Sequence, residues 1–519
     1  MLLGDIITQG AERTPDNLAL VYRDLEMSYR ELAGAVQRLA AGFAALGVGE
    51  GDRVALLLPN CPPFVLGYYA AALLGAVVVP SNPLLKPAEL EYIWKDADVK
   101  LVMTVPPLLP GVEAARKSLT SLRHVVSILP REELADAALA DSISGFITLP
   151  ELMAKGAAAE LPAPSHQEEN DCAVIIYTSG TTGHPKGAML SHRNLIRNVE
   201  QLEGVLELKA SDCFLTALPL FHAFAGTVCM HAALENGCAT ILMDNFTPAR
   251  ALEAVEKYHV TIFPAVPALF YALLQSPPDR EYDMSSIRVF VSGGAPLPAT
   301  TLSALEARYG IPVLEGDGPT ECSPATSVNP IRGVRKVGSV GLPLPGVEIA
   351  IFDDNDVPLA AEEIGEIVVG GDNVMLGYLN QPEATAEAMR SGWYHTGDIG
   401  KIDADGYVYI LDRKKDMIIT AGLNVYPREV EEVLFTHPAV ADCAVIGQPD
   451  AMRGEEVVAV IVVKPGVTVT ERELTAHCRE RLANYKVPRR VLFRDVLPRG
   501  GTGKVVKRLL KKELEMALS

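Results

Sequence analysis

Tyr177-Thr178-Ser179-Gly180-Thr181-Thr182-Gly183-His184-Pro185-Lys186-Gly187 follows an apolar run, Ala173 to Ile176, that reads as a buried strand. Glycines let backbone N–H groups turn toward one anion, and the serine and threonine hydroxyls add donors. Lys186 supplies a point charge for the same oxygens. Such a segment cannot fill a core, and it reads as a cradle for phosphate, as in a nucleotide. It is not a Walker A loop: Lys186 precedes Gly187 and Ala188, whereas that motif sets its lysine between a glycine and a Ser/Thr. A short Gly/Ser/Thr cluster is more often a solvated loop between a strand and a helix. Eleven residues in this order, ending Pro-Lys-Gly after a buried strand, argue for function instead.

The chain around it has 519 residues, too many for one core and enough for two or three domains. Hydrophobic residues make up 49% and charged residues 21%, the balance of a globular enzyme. A net charge of −19 repels nucleic acid and anionic membrane surfaces as main partners. A nucleotide's charge must therefore be met by local lysines, glycine loops and a metal. The eight cysteines, from Cys61 to Cys478, form no CxxC pair and no cluster with histidine. That pattern favours reduced thiols in a cytoplasmic protein over disulfides or zinc. Met1-Leu2-Leu3-Gly4-Asp5 lacks the basic start and apolar core of a signal peptide. Phe64 to Val79 is uncharged but falls short of the ~20 residues that span a bilayer; it reads as a buried helix running into a strand.

Helical and strand patterns alternate from Tyr29 onward, which predicts parallel sheets with helices on both faces. Helices are expected at Tyr29–Leu46 and Pro87–Asp96, and strands at Arg53–Leu58 and Lys100–Thr104. Leu134 to Asn170 is rich in Ala, Pro and acidic residues and reads as a surface excursion. Val347 to Val369 changes to short strands and turns, a β-rich subdomain. Asp412-Arg413-Lys414-Lys415-Asp416 follows a strand and is too charged for a core. The expected fold is thus α/β: a large domain of parallel βα sheets with a β-rich subdomain over residues 1–411, a hinge at 412–416, and a small mobile α+β domain over 417–519.

Other segments carry more chemistry than structure requires. Phe221-His222-Ala223-Phe224-Ala225-Gly226 sets one histidine among apolar residues, which alone would describe a satisfied core histidine. Gly293-Gly294-Ala295-Pro296 follows a strand as a loop against which a flat ring could lie. Glu315-Gly316-Asp317-Gly318-Pro319-Thr320-Glu321 joins glycines to a hydroxyl and a carboxylate, a set that suits phosphate-bound Mg²⁺. Trp393-Tyr394-His395-Thr396-Gly397-Asp398 ends in a carboxylate that could accept from ribose hydroxyls. Pro498-Arg499-Gly500-Gly501-Thr502-Gly503-Lys504 is Gly-rich and ends on one lysine. Loops after strands are where open parallel sheets hold ligands, so residues alone lead to a nucleotide-using enzyme and leave the reaction open.

These stretches resemble the AMP-forming acyl-CoA synthetase branch of the adenylate-forming enzymes, from Gly51-Asp52-Arg53-Val54 to Gly503-Lys504. The Tyr177–Gly187 loop is that family's signature. Trp393 to Asp398, Asp412 to Ile418 and Thr420-Ala421-Gly422-Leu423-Asn424-Val425-Tyr426-Pro427 are similar to its fatty-acyl members. The resemblance implies two half-reactions: a carboxylate attacks the α-phosphate of ATP, giving acyl-AMP and pyrophosphate, then the CoA thiol takes the acyl group and AMP leaves. It implies that Thr178, Ser179, Gly180, Thr181, Thr182, Gly183 and Lys186 hold phosphates, with Thr320 at the α-phosphate and Glu321 on Mg²⁺. Gly294, Ala295 and Pro296 would line adenine together with the Glu315-Gly316-Asp317 segment, and Asp398 and Arg413 would bind ribose. Lys504 would bridge the acyl carboxylate and the α-phosphate, Lys415 would be the pivot, and Gly422, Leu423 and Asn424 would meet the pantetheine of CoA.

One residue departs from the family's pattern. Asp317 stands where a tyrosine usually stacks on adenine, and a carboxylate has no such apolar face. Adenine would then rest on aliphatic contacts, bind less tightly, or give its amine to Asp317. Phe221, His222, Ala225 and Gly226 are expected to line the acyl pocket, where small residues leave room for a medium- or long-chain fatty acid. An aryl or cyclic carboxylate is the alternative within the family, and a non-catalytic acyl-AMP-binding protein the alternative outside it. The expected partners are ATP, CoA and the acid, with no nucleic acid, in a cytoplasmic monomer or homodimer. Weak peripheral contact with the inner face of a membrane is compatible with acids that partition into bilayers.

Overall fold

The structure, a computed structural model, describes residues 1–129, 145–161, 167–178, 185–276, 280–450, 452–500 and 505–518, with the side chains of 515–518 left aside. Two large sheets share one core. An eight-stranded sheet runs Gly377–Tyr378, Lys186–Ser191, Cys172–Thr178, Val77–Pro80, Arg53–Leu57, Val99–Thr104, His124–Ser127, Ile147–Thr148. A nine-stranded sheet is centred on the parallel strands Cys213–Thr216, Ile262–Ala265, Val289–Ser292 and Val313–Asp317. The helix Pro62–Leu73 is buried on nearly every side, and its Phe64, Tyr68 and Tyr69 join a cluster fed by strands of both sheets. The uncharged run from Phe64 to Val79 is therefore a helix and a strand, and no helix among the described residues is long and apolar enough to cross a membrane.

Local chemistry fixes the elements. The helix Tyr29–Ala45 begins at a capping box, where Ser28 accepts the Glu31 N–H and Glu31 accepts the Ser28 N–H. The expected strands and helices of the first hundred residues stand within two residues of their predicted bounds, and the helix Pro87–Asp96 matches. The excursion expected over Leu134 to Asn170 is partly wrong. Ile147–Thr148 pairs with the sheet edge and Leu149–Ala157 is a helix on Tyr29–Ala45. Gly156 lets the two backbones approach: a Cβ there would lie 1.8 Å from the Arg38 carbonyl oxygen. The Thr148–Glu151 capping box was the legible signal.

The decisive stretch is flanked by two antiparallel strands, not by a strand and a helix. Cys172–Thr178 pairs antiparallel with Lys186–Ser191, with Thr178 opposite Lys186. Beyond the large sheets, Val347–Phe352, Gly365–Gly371, Tyr394–Ile402 and Val408–Arg413 form a four-stranded antiparallel sheet, the expected β-rich part. After the exposed turn at Lys414 and Lys415, a separate sheet built on Val440–Asp450 and Gly454–Val463 has cores of its own with the helices Pro427–Phe435, Glu471–Arg479 and Lys507–Leu518. The α/β architecture with a smaller C-terminal domain is as expected. All eight cysteines are free thiols.

Two buried histidines make this fold acid-sensitive. His192 Nδ1 accepts the Leu3 N–H at 3.0 Å, and burial pulls its pKa from 6.5 to about 4. His231, fully buried, sits between the Tyr69 and Tyr68 hydroxyls at 2.8 and 3.2 Å, and burial pulls it to about 3. Both stay neutral in the fold but protonate near 6.5 once unfolded, so their stabilisation is complete above pH 6.5 and is lost as pH falls toward 4. His192→Asn keeps an acceptor for Leu3 and removes the titration. It should melt with wild type at pH 8 and above wild type at pH 5; parallel melting curves at both pH values would refute the assignment.

Candidate active site

The hairpin register brings Thr178 and Lys186 to one end of the eight-stranded sheet, and a single 3₁₀ turn, Thr320–Cys322, meets them there. Glu321, 8% exposed, accepts the Thr178 hydroxyl at 3.1 Å and the Tyr378 hydroxyl at 3.0 Å, both on Oε1. Lys186 Nζ lies 5.1 Å from the centre of the Tyr378 ring. Burial first, then the Glu321 charge, drives the Tyr378 phenol far above its ordinary pKa, so it stays protonated and donates. Backbone bonds lock the group: Met375 N–H binds the Glu321 carbonyl, and Leu379 N–H binds the Gly187 carbonyl. Thr178, Lys186, Thr320 and Glu321 thus converge, whereas Ser179, Gly180, Thr181, Thr182 and Gly183 lie outside the described residues. Tyr378 was not singled out from sequence. Its legible signal was a tyrosine in an apolar, Gly-containing run, since a buried phenol needs a hydroxyl partner.

Among the described residues no three metal-ligating side chains gather. One carboxylate whose Oε2 takes no hydrogen bond from described residues, flanked by hydroxyls, suits Mg²⁺, which keeps waters and takes its other oxygens from phosphates. It does not suit zinc.

The next two strands of the nine-stranded sheet end in the other loops. Gly294, at φ +78°, turns the chain after Val289–Ser292, leaving Ala295 half-buried and Pro296 exposed. Glu315 does not open onto this loop's surface. Its carboxylate is buried behind it and accepts the Leu297 N–H at 3.0 Å. Gly316 lets the Ser327–Val328 strand close in, since a Cβ there would stand 2.9 Å from the Ser327 carbonyl oxygen. Asp317 ends the strand, its carbonyl accepting the Thr326 N–H and hydroxyl.

Asp398, 6% exposed, pairs with the Arg413 Nε at 2.7 Å, strand to strand. Asp398 is the main cause of a raised Arg413 pKa, and the charge of Asp317 contributes. The three residues therefore share one locality. Glu366 steadies it by accepting the Gly397 N–H, while the Lys414 N–H binds the Gly397 carbonyl.

Phe221 and His222 are half-buried, and Ala225 and Gly226 are buried at the start of a π-helix, Ala225–His231. The wide turn was not read from sequence; such turns recur at functional sites. The Phe224 ring lies 3.3 Å from where a Cβ on Gly293 would stand, so this helix abuts the Gly294 loop. Lys415 is exposed in the turn between the domains. Gly422, Leu423 and Asn424 are exposed on the hairpin Ile418–Val425, whose turn residues Ala421 and Gly422 have φ of +51° and +79°. Lys504 lies outside the described residues.

Comparison with known proteins adds to this geometry. Residues 7–379 match the family model of AMP-binding enzymes and residues 429–504 that of the AMP-binding enzyme C-terminal domain. A long-chain-fatty-acid–CoA ligase of Bacillus subtilis is 38% identical, over 99% of this chain and 95% of its own. A feruloyl-CoA synthase of an Amycolatopsis species is 39% identical over 97% of each. The crystal structure of an anthranilate CoA ligase in complex with anthranoyl-AMP superimposes with a TM-score of 0.91 at 29% identity, covering 100% of this chain and 98% of that one.

Tyr378→Phe removes one hydrogen bond to a carboxylate, about 1.5 kcal/mol. Calorimetric titration with MgATP should show affinity about tenfold weaker, with a smaller loss when Mg²⁺ is withheld. Equal affinities for variant and wild type would show that Tyr378 does not orient Glu321.

Proposed function

The chain belongs to the AMP-binding enzyme family, and on that premise we propose that it is an AMP-forming acid–thiol ligase that converts a medium- or long-chain fatty acid to its CoA thioester. The observation that carries the reading is the convergence of Thr178, Lys186, Thr320 and Glu321 at one end of the sheet, within a chain that matches the family along nearly its whole length.

In the first half-reaction an oxygen of the carboxylate forms a bond to the α-phosphorus, and the bond from that phosphorus to the bridging oxygen breaks, releasing pyrophosphate. Both reactants are anions, so the site must lower their repulsion and hold them in line. Lys186 and the hydroxyls of Thr178 and Thr320 take the phosphate oxygens, with Ser179 to Gly183 supplying loop amides. Glu321 would hold Mg²⁺, which would neutralise charge on those oxygens. Asp398 orients the ribose from a backbone fixed on both sides of Gly397 and a side chain held by Arg413. Gly294, Ala295 and Pro296 would lie under adenine, with Asp317 accepting from the base's amine in place of a stacking ring. Lys504 comes from the small domain to bridge the two anions. In the second half-reaction the thiol attacks the acyl carbon and AMP leaves, with the small domain turned about Lys415 and the Gly422 hairpin at the pantetheine.

The likeness to the fatty-acid ligase and the small residues Ala225 and Gly226 support an aliphatic acid in the region of His222. The feruloyl-CoA synthase, as similar in identity, favours an aryl acid as the second reading. A panel of acids assayed with ATP and CoA decides: C8–C18 chains should outpace benzoates and cinnamates at least tenfold in kcat/KM, and the reverse order would move the substrate to the aryl class. Lys504→Ala should lose acyl-AMP formation by more than a hundredfold and retain thioester formation from supplied acyl-AMP. Equal losses in both would remove Lys504 from the first step.

A further inference from the structure

Glu315 and Arg428 face each other across the boundary between the large domain and the small one, and each lacks what the other offers. Glu315 is 2% exposed; its Oε1 accepts the Leu297 N–H and its Oε2 has no hydrogen-bond partner. Arg428 stands in the first turn of the helix Pro427–Phe435 and is 7% exposed. Its backbone N–H binds Asp412 Oδ2 at 2.7 Å, Nη1 donates to the Ile410 carbonyl at 2.7 Å, and Nε donates to Glu432 at 3.2 Å. Nη2 has no hydrogen-bond acceptor and lies 3.8 Å from Glu315 Oε1.

A charge-assisted N–H···O bond closes at about 2.8 Å, so a shift of about 1 Å would join the two groups. The environment leaves little alternative for either. The carboxyl faces Arg428 and Glu432 from the small-domain helix, Asp317 from the end of its own strand, and the Leu297 amide from the nucleotide loop. Burial pushes its pKa up to about 7; Arg428 works against that shift, and Glu432 and Asp317 add to it. Removing Arg428 would leave the buried Glu315 carboxylate with the Leu297 N–H and no cation within 4 Å among the described residues, and removing Glu315 would leave Arg428 Nη2 without a facing carboxylate.

We propose that Glu315 and Arg428 form an interdomain catch, in which Glu315 is a positioning residue tying the Leu297 amide of the nucleotide loop to the helix that carries the small domain. The catch rests on the reading of Gly294–Pro296 as the nucleotide loop and of the small domain as alternating between two half-reactions. Making the bond holds one domain pose, and breaking it frees the other. Occupancy of the loop and orientation of the small domain are thereby linked through one buried carboxylate.

Glu315→Gln keeps the side chain's size and its oxygen toward Leu297 while removing the charge; Arg428→Met keeps length and removes the donors. The first readout needs no catalysis. Tryptic cleavage at Lys414 and Lys415, both exposed in the turn between the domains, should speed at least fivefold in each variant and no further in the double variant. In wild type that cleavage, corrected with a peptide standard, should slow from pH 6 to pH 8 as the carboxyl ionises, and Glu315→Gln should lose the dependence. The second readout separates acid-dependent ATP–pyrophosphate exchange from thioester formation on supplied acyl-AMP: each variant should change the ratio of the two rates by tenfold or more, in the same direction. Cleavage at the wild-type rate, additive effects in the double variant, or parallel loss of both half-reactions beside an active wild type would overturn the catch. A wild type without either half-reaction would instead refute the ligase reading, while hinge cleavage still decides the catch. If one single variant fails to fold, the other carries the same test.

Discussion

Two anions must meet in a protein that itself carries a net charge of −19, and the site is arranged around that repulsion. Such a net charge gives neither reactant a long-range attraction. Charge has to be supplied within a few ångströms. The hairpin does this by register: pairing Thr178 with Lys186 fixes where the lysine starts, and the Tyr378 ring beneath it limits where the ammonium goes. Glu321 is the carboxylate that accepts there, with two hydroxyls converging on the same oxygen. Other cations near the site are already engaged. Arg413 is paired with Asp398, and Lys414 reaches Glu366 and Asp354. They set geometry, and among the described residues Lys186 stands at the hairpin with its ammonium over the Tyr378 ring.

The same scarcity of cations gives the domain boundary its character. Where the small domain meets the large one, buried carboxylates of Glu315 and Asp412 lie beside Arg428 and Lys507. Burial pushes Asp412 above the ordinary carboxylate range, and the Lys507 charge opposes it. Each of these groups is desolvated, so the boundary is costly to hold unless every charge keeps a partner.

Much of this was legible in residues. Periodicity located the strands that end at Thr178, Ser292 and Asp317, and the ends of the last two are neighbours, since a Cβ on Gly293 would stand 3.5 Å from the Gly316 carbonyl oxygen. What escaped had no local signature. The antiparallel return after the phosphate loop was hidden, since Lys186-Gly187-Ala188-Met189 does not alternate cleanly. Tyr378 reaches Glu321 across 57 positions, a tertiary fact that no window contains. The helix Leu149–Ala157 was obscured by the Ala- and Pro-rich residues around it, although its capping box was in plain view. Glu315 was assigned with the nucleotide-binding residues because it sits among them in sequence. Its carboxylate lies at the loop's underside, where it accepts the Leu297 N–H.

In an AMP-forming ligase an oxygen of the acid becomes bonded to the α-phosphorus before the thiol acts. The most direct measurement is to supply a fatty acid labelled with ¹⁸O in both carboxyl oxygens, together with ATP and CoA, and to weigh the products by mass spectrometry. The account predicts one ¹⁸O in each AMP released, none in pyrophosphate, and one retained in the thioester. Label in orthophosphate, or AMP with no label at all, would contradict it.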